Sequence, residues 1–155
     1  MKKNMIIVGA GLAGLSAALQ AVKEGCSVKL ISSLPSERAQ SVMAEGGINA
    51  ALNTKGEDDS TQEHYEDTIK AGCNLADPNA VWNMTQAAPE VVKWLQSIGV
   101  QFNTCGYDEL DLRNFGGQKK KRTAFAKSDT GKQIMTAMID AVRRLEVQGQ
   151  IERFE

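Results

Sequence analysis

An α/β fold is predicted by three features of the first 33 residues: an apolar run at 5–8, a glycine turn directly after it, and a second apolar run at 27–32. Met5-Ile6-Ile7-Val8 has the composition of a buried strand. Gly9-Ala10-Gly11-Leu12-Ala13-Gly14 has the spacing G-x-G-x-x-G and opens an alanine-rich helix over residues 12–24, which Gly25 ends. Ser27-Val28-Lys29-Leu30-Ile31-Ser32 reads as a second strand, completing a Rossmann-like βαβ unit of about thirty residues. Such a turn suits a pyrophosphate. Gly9 permits the tight bend, Gly11 lets backbone approach the phosphates, and Gly14 lets helix and strand pack closely. The first helical residues, Leu12 and Ala13, carry free amides at the positive end of the helix dipole. Three glycines are costly at a helix start unless something needs the room, so an unliganded element is the poorer reading. Ser32 and Ser33 stand where NAD sites place an acidic residue. Their hydroxyls can bond a ribose, but the charged discriminator for NAD is missing.

The 155 residues are 42% hydrophobic and 24% charged, with a formal net charge of −1. This balance suits one soluble unit with a sizeable core and gives no electrostatic case for nucleic acid or an acidic membrane. Cys26, Cys73 and Cys105 are scattered and His64 is the one histidine, so no metal site is expected and a reducing compartment is favoured. Cys26 and Cys73 read as small core residues. Lys2-Lys3 precedes an apolar run that glycines and Gln20 interrupt, so the nucleotide turn explains it better than a signal peptide does. No run approaches the ~20 apolar residues of a membrane span. A cytoplasmic location without direct membrane insertion is expected.

Beyond residue 33 the strand–helix alternation stops. Residues 34–59 are small and polar, punctuated by Pro35, Gly46-Gly47 and Gly56, and predict a long loop with a short helix. Val42, Met43, Ile48 and Leu52 argue that this loop is functional rather than disordered. Ser60-x-x-Glu63 is a capping box for a helix to about Ala71, with Gly72 as its stop. Asp77-Pro78 supplies another helix start. Pro89 predicts that this pattern divides into two short helices joined near Ala88, the second carrying Val91, Val92, Trp94, Leu95 and Ile98 and ending at Gly99. A short strand at 100–102 and a polar stretch at 103–129 follow. The last helix runs from near Thr130 to Gly149, with Ile134, Met135, Met138, Ile139, Val142 and Leu145 as its buried stripe. Residues 150–154 predict a third strand. A doubly wound sheet needs more strands than three, so the fold reads as incomplete: a βαβ unit, a helical insertion and one further strand.

The polar stretches carry a more specific signal. Residues 41–51 (SVMAEGGINAA), Asn53-Thr54-Lys55-Gly56-Glu57 with Asp59-Ser60, and His64-Tyr65 with Asp67-Thr68 come first. Arg113-Asn114-Phe115-Gly116-Gly117, Arg122-Thr123-Ala124-Phe125-Ala126 and Thr130-Gly131 follow in order. Together they resemble the flavoprotein subunits of fumarate reductase and succinate dehydrogenase over essentially the whole chain. The resemblance implies that FAD occupies the glycine turn, in a FAD-binding domain interrupted by a capping domain. Gly9, Gly11 and Gly14 would face the pyrophosphate and Ser32 and Ser33 the ribose. Gln40, Ser41, Ala44, Glu45, Gly46 and Gly47 would run past the isoalloxazine. Phe115, and Glu45 beside it in role, would lie near a C4-dicarboxylate site. Two successive glycines let backbone amides reach a flat ring with no side chain between.

Two departures carry meaning. Respiratory members of the family bind FAD covalently through a histidine, and Gln40 stands at that position, so FAD is expected to be non-covalent and fumarate reduction favoured over succinate oxidation. L-aspartate oxidases also hold FAD non-covalently and remain an alternative, although the Phe115-Gly116-Gly117 segment is closer to the fumarate reductase branch. Family members are also several times longer. Residues 1–155 are therefore expected to be the N-terminal segment of a FAD-binding domain, with the capping domain, the rest of the FAD domain and all catalytic residues outside this chain. Such a segment would be inactive alone, and in the intact protein an iron–sulfur subunit is a possible partner, with membrane association through partners. A non-catalytic dinucleotide-binding module is the rival from another class. Some residues have plainer readings: His64 a packing or surface histidine, the run Lys119-Lys120-Lys121-Arg122 a solvated loop, and Trp82 and Trp94 core.

Overall fold

The first apolar run forms β1 (Asn4–Val8), the glycine turn leads into α1 (Leu12–Lys23), and β2 (Ser27–Ile31) returns parallel to β1, with Met5 opposite Val28 and Ile7 opposite Leu30. The computed structural model describes residues 3–107 and 109–155. α1 buries Leu15, Ala18 and Ala21 at helical spacing. Full burial of one leucine such as Leu15 contributes about 2 kcal/mol from apolar area alone. Two short 3₁₀ turns, Ser36–Arg38 and Gln40–Met43, replace the single short helix expected in the loop after β2. Met1–Ala44 together with Gly131–Glu155 form one unit, and Glu45–Thr130 form a second.

The second unit begins with β3 (Ile48–Asn49). α2 (Thr61–Ala71) starts at the predicted cap, where Ser60 Oγ accepts the amide of Glu63 at 3.1 Å. α3 (Pro78–Ser97) starts where the Asp77 carboxylate accepts the amides of Asn79 and Ala80. It continues without a break through Pro89, so the expected pair of short helices is one helix of 20 residues. The reason is tertiary. Val81, Thr85, Ala88, Val92 and Leu95 form a single buried stripe on both sides of the proline, and that burial outweighs one lost backbone bond. Trp82 and Trp94 flank this stripe and are 43% and 37% exposed rather than core, Trp82 meeting Tyr65 edge-on with ring centroids 5.4 Å apart. Cys73 is likewise exposed, because α2 has ended and the residue sits in a left-handed turn at φ 52°.

Residues 100–102 are not a strand, although Val100 and Phe102 are buried. The polar stretch after them holds β4 (Thr104–Cys105), β5 (Glu109–Leu110), β6 (Leu112–Arg113) and β7 (Thr123–Ala124). β4 pairs with β5, while β7 lies between β3 and β6 in an antiparallel three-stranded sheet. The chain then re-enters the first unit through α4 (Thr130–Val147). Five of the six predicted stripe residues of α4 are buried and Leu145 is half-buried. β8 (Ile151–Phe154) pairs parallel with β2, setting Val28 opposite Ile151.

The first unit is thus α/β with a parallel sheet in the order β1-β2-β8, one half of a doubly wound arrangement. β1 is an edge strand here, and Ile6 and Val8 are 67% and 81% exposed. No helix among the described residues is long and apolar enough to cross a membrane.

Because proline has no N–H, the carbonyl of Thr85 lacks its helical partner in α3. Pro89→Ala restores that bond and is expected to stabilise the chain by about 1 kcal/mol, read as a higher denaturant midpoint at unchanged slope. A lower midpoint would show that the proline ring is itself required by the packing.

Candidate functional site

In the first unit the glycine turn lies at the carboxyl end of β1, where α/β sheets bind their ligands. Gly9 donates its amide to the Ile31 carbonyl at 2.7 Å, tying the turn to the end of β2, and adopts φ +105°. A Cβ at Gly14 would sit 1.8 Å from the Gly9 carbonyl oxygen, so helix and turn could not meet with any other residue there. Gly11 caps α1 with no side-chain bond. The amide of Leu12 donates to Ser41 Oγ at 3.3 Å, and those of Ala13 and Gly14 have no protein acceptor among the described residues. A Cβ at Gly11 would enter the space beside Ser41 and Ala39, at 3.7 and 3.8 Å. Amides without a protein acceptor among the described residues, open space beside Gly9 and a helix N-terminus together fit an anionic group such as a pyrophosphate.

Ser32 and Ser33 follow β2 at the same end of the sheet. The Ser32 hydroxyl donates to the Leu34 carbonyl at 2.8 Å, while Ser33 and Gln40 are exposed. Ala44 meets the start of α4. The Gly131 amide donates to the Ala44 carbonyl at 2.6 Å, and a Cβ at Gly131 would fall 2.2 Å from the Ser41 carbonyl oxygen. Gly131 therefore shapes the 41–44 turn, a role the sequence did not show.

In the second unit Glu45, Gly46 and Gly47 lead into β3. A Cβ at Gly46 would lie 2.7 Å from the Phe115 ring, and one at Gly47 would lie 2.5 Å from the Ala124 carbonyl oxygen. Phe115 is 53% exposed and Glu45 is exposed. Arg113 was not singled out by the sequence as a site residue. Its Nη2 donates to the carbonyls of Glu45 and Gly46 at 3.2 and 2.8 Å, and its guanidinium lies 4.3 Å from the Phe125 ring centre.

Basic residues of the 119–122 run, expected to be solvated, clasp acidic ones in the second unit. Arg122 is fully buried. It donates to Asp59 at 2.8 Å and makes an ionic contact with Asp67 at 3.1 Å whose angle is outside that of a hydrogen bond. Its carbonyl accepts the amide of Ala50 at 2.8 Å. The Lys121 amide donates to Glu57 at 2.7 Å and holds that carboxyl below its ordinary pKa. His64 is buried on α2, and burial, reinforced by the nearby Arg122 charge, pushes its pKa down. His64, Asp67, Thr68, Asn49, Phe115 and Arg122 share a cavity of about 270 Å³.

The family described as FAD binding domain matches residues 4–154. The chain belongs to that family. It is 46% identical over 154 residues to the succinate dehydrogenase flavoprotein subunit of Bacillus subtilis (strain 168), covering 99% of this chain and 26% of that protein. An L-aspartate oxidase of Streptomyces coelicolor is 34% identical over 141 residues, covering 90% of this chain and 24% of the relative. Among solved structures, a quinol fumarate reductase of E. coli superposes with a TM-score of 0.87 at 28% identity, over 99% of this chain and 26% of that one. The chain spans about a quarter of the length of these FAD-binding-domain relatives.

Two outcomes follow from the buried charges. Arg122→Met leaves Asp59 buried without its partner and is expected to cost about 3–5 kcal/mol, read by urea unfolding, with Arg122→Lys recovering part of the loss. Because folding lowers the pKa of His64 below 6.5, the unfolded chain binds that proton first as pH falls. Stability should therefore be full above about pH 7 and decline between 6.5 and the lowered folded value. With one histidine in the chain, His64→Gln should flatten this slope, and a persisting slope would assign it to other groups.

Proposed function

We propose that residues 1–155 are the N-terminal segment of the FAD-binding domain of a longer flavoprotein that interconverts fumarate and succinate, acting chiefly in fumarate reduction. The capping domain and the rest of the FAD domain would belong to the remainder of that protein. The observation that best supports the reading is the glycine turn, with open space at Gly9, amides at Ala13 and Gly14 that have no protein acceptor among the described residues, and serines in place of the acidic residue that NAD sites use. When bound, FAD supplies a two-electron carrier for hydride exchange with a carbon–carbon bond of a C4 dicarboxylate.

The chain's own residues would bind and orient. In the first unit Gly9, Gly11, Leu12, Ala13 and Gly14 would hold the pyrophosphate, and Ser32 and Ser33 the ribose. Gln40, Ser41 and Ala44 would line the path toward the ring. In the second unit Glu45, Gly46 and Gly47 would present backbone to the ring, and Phe115, packed on Gly46, would stand by the dicarboxylate with Glu45 near it. The Gln40 carboxamide has no nucleophilic nitrogen with which to form a flavin bond, so FAD would be held non-covalently. In the intact protein an iron–sulfur subunit would exchange electrons with the flavin, and any membrane association would come through partners. An L-aspartate oxidase activity is the second reading, supported by the 34% identical relative and by Gln40.

The deciding experiment is an absorption spectrum of the purified full-length protein, repeated on the supernatant after acid precipitation. Flavin bands that move wholly into the supernatant are expected, and flavin that stays with the pellet would overturn the meaning given to Gln40. Bleaching of the bound flavin by L-aspartate but not by succinate would replace the leading reading with the second.

A further inference from the structure

We propose that Arg113 is a positioning residue that turns the amides of Gly46 and Gly47 toward the cofactor, an inference that rests on the FAD-binding reading above. In a trans peptide the C=O and N–H point in opposite directions. Arg113 Nη2 holds the carbonyl of Glu45 at 3.2 Å and that of Gly46 at 2.8 Å. The partner N–H groups across those two peptides, on Gly46 and Gly47, are therefore directed away from the arginine. Neither amide has a protein acceptor among the described residues. Gly47 stands at φ +116°, a left-handed conformation that lets successive amides converge on one electron-rich group.

The clamp is built rigidly. Arg113 lies on β6, which pairs with β7 at Thr123, and β7 pairs in turn with Ile48 and Asn49, the residues directly after the two glycines. One small sheet thus carries both the arginine and the backbone that it holds. The guanidinium rests against the Phe125 ring at 4.3 Å and lies 5.7 Å from the Phe115 ring centre, contacts that fix its plane. No ion pair to Arg113 occurs among the described residues. On its other side Gly46 packs so closely on the Phe115 ring that no side chain has room there. Arg113 acts through backbone and need not touch the flavin.

The test uses the full-length protein stripped of FAD, with FAD affinity read from flavin fluorescence, the midpoint potential of the bound flavin, and the melting temperature of the apo form. Arg113→Gln is expected to weaken FAD binding by about tenfold and to lower the flavin potential while the apo form melts as the wild type does. Arg113→Lys keeps the charge but loses the planar stack, and should recover less than half of the lost affinity. Affinity and potential within about twofold of wild type in a folded Arg113→Gln protein would overturn the inference. Should that variant not fold, Phe125→Leu decides: removal of the stacking face should weaken FAD measurably, and unchanged binding overturns the proposal. Wild-type protein that takes up no FAD sinks the FAD-binding reading and this inference together, whereas wild-type binding with indifferent variants sinks the inference alone.

Discussion

The absence of a β-carbon is the constraint on which both units of this chain depend. At Gly14 the helix and the turn before it approach until a single added carbon would overlap the Gly9 carbonyl oxygen. At Gly131 the start of α4 comes nearly as close to the 41–44 turn. In the second unit Gly46 and Gly47 leave similarly little room beside Phe115 and Ala124. In each case backbone does the work that side chains do elsewhere. Backbone can approach a ligand more closely than any side chain allows, and its amides offer bonds without rotamer entropy to lose. A FAD-binding domain needs such surfaces, because its ligand is long, anionic in the middle and flat at one end.

Charge plays a different part. Arg122 has no exposed surface, so its desolvation must be offset by partners brought from elsewhere in the second unit, Asp59 before α2 and Asp67 within it. Two carboxylates on one guanidinium fix the approach to α2 from two directions. Buried pairs of this kind add less net stability than their geometry suggests, but they penalise misplacement strongly. His64, buried beside this network and held neutral, adds no charge to the cluster near neutral pH.

Much of this was legible in the sequence wherever the signal was local. The βαβ unit, the Ser60 and Asp77 caps, the buried stripe of α4 and the final strand depend on spacing and on cap chemistry within a few residues. Misreadings arose where distant partners decide. Pro89 reads as a breaker until the stripe from Val81 to Leu95 is seen to be buried continuously. Lys120, Lys121 and Arg122 read as a solvated run because their acidic partners are remote in sequence. Trp82 and Trp94 are apolar and helical, yet sit one step off the buried face, a distinction of about 100° that composition does not reveal. Arg113 stayed silent because its partners are carbonyls, which every residue possesses.

The hydrogen bond from Gly131 to Ala44 has a consequence for how such a protein can change over time. It joins the point where the chain leaves the first unit to the point where it comes back. The 86 residues between Glu45 and Thr130 are thus an excursion whose two ends already meet. Closing a loop costs conformational entropy that grows only slowly with its length, so once the ends are fastened the sheet is nearly indifferent to what lies between them. The parallel sheet can keep its register while the excursion lengthens, shortens or acquires new contacts. One anchored junction lets a FAD-binding scaffold stay fixed while the excursion between its two ends is free to diversify.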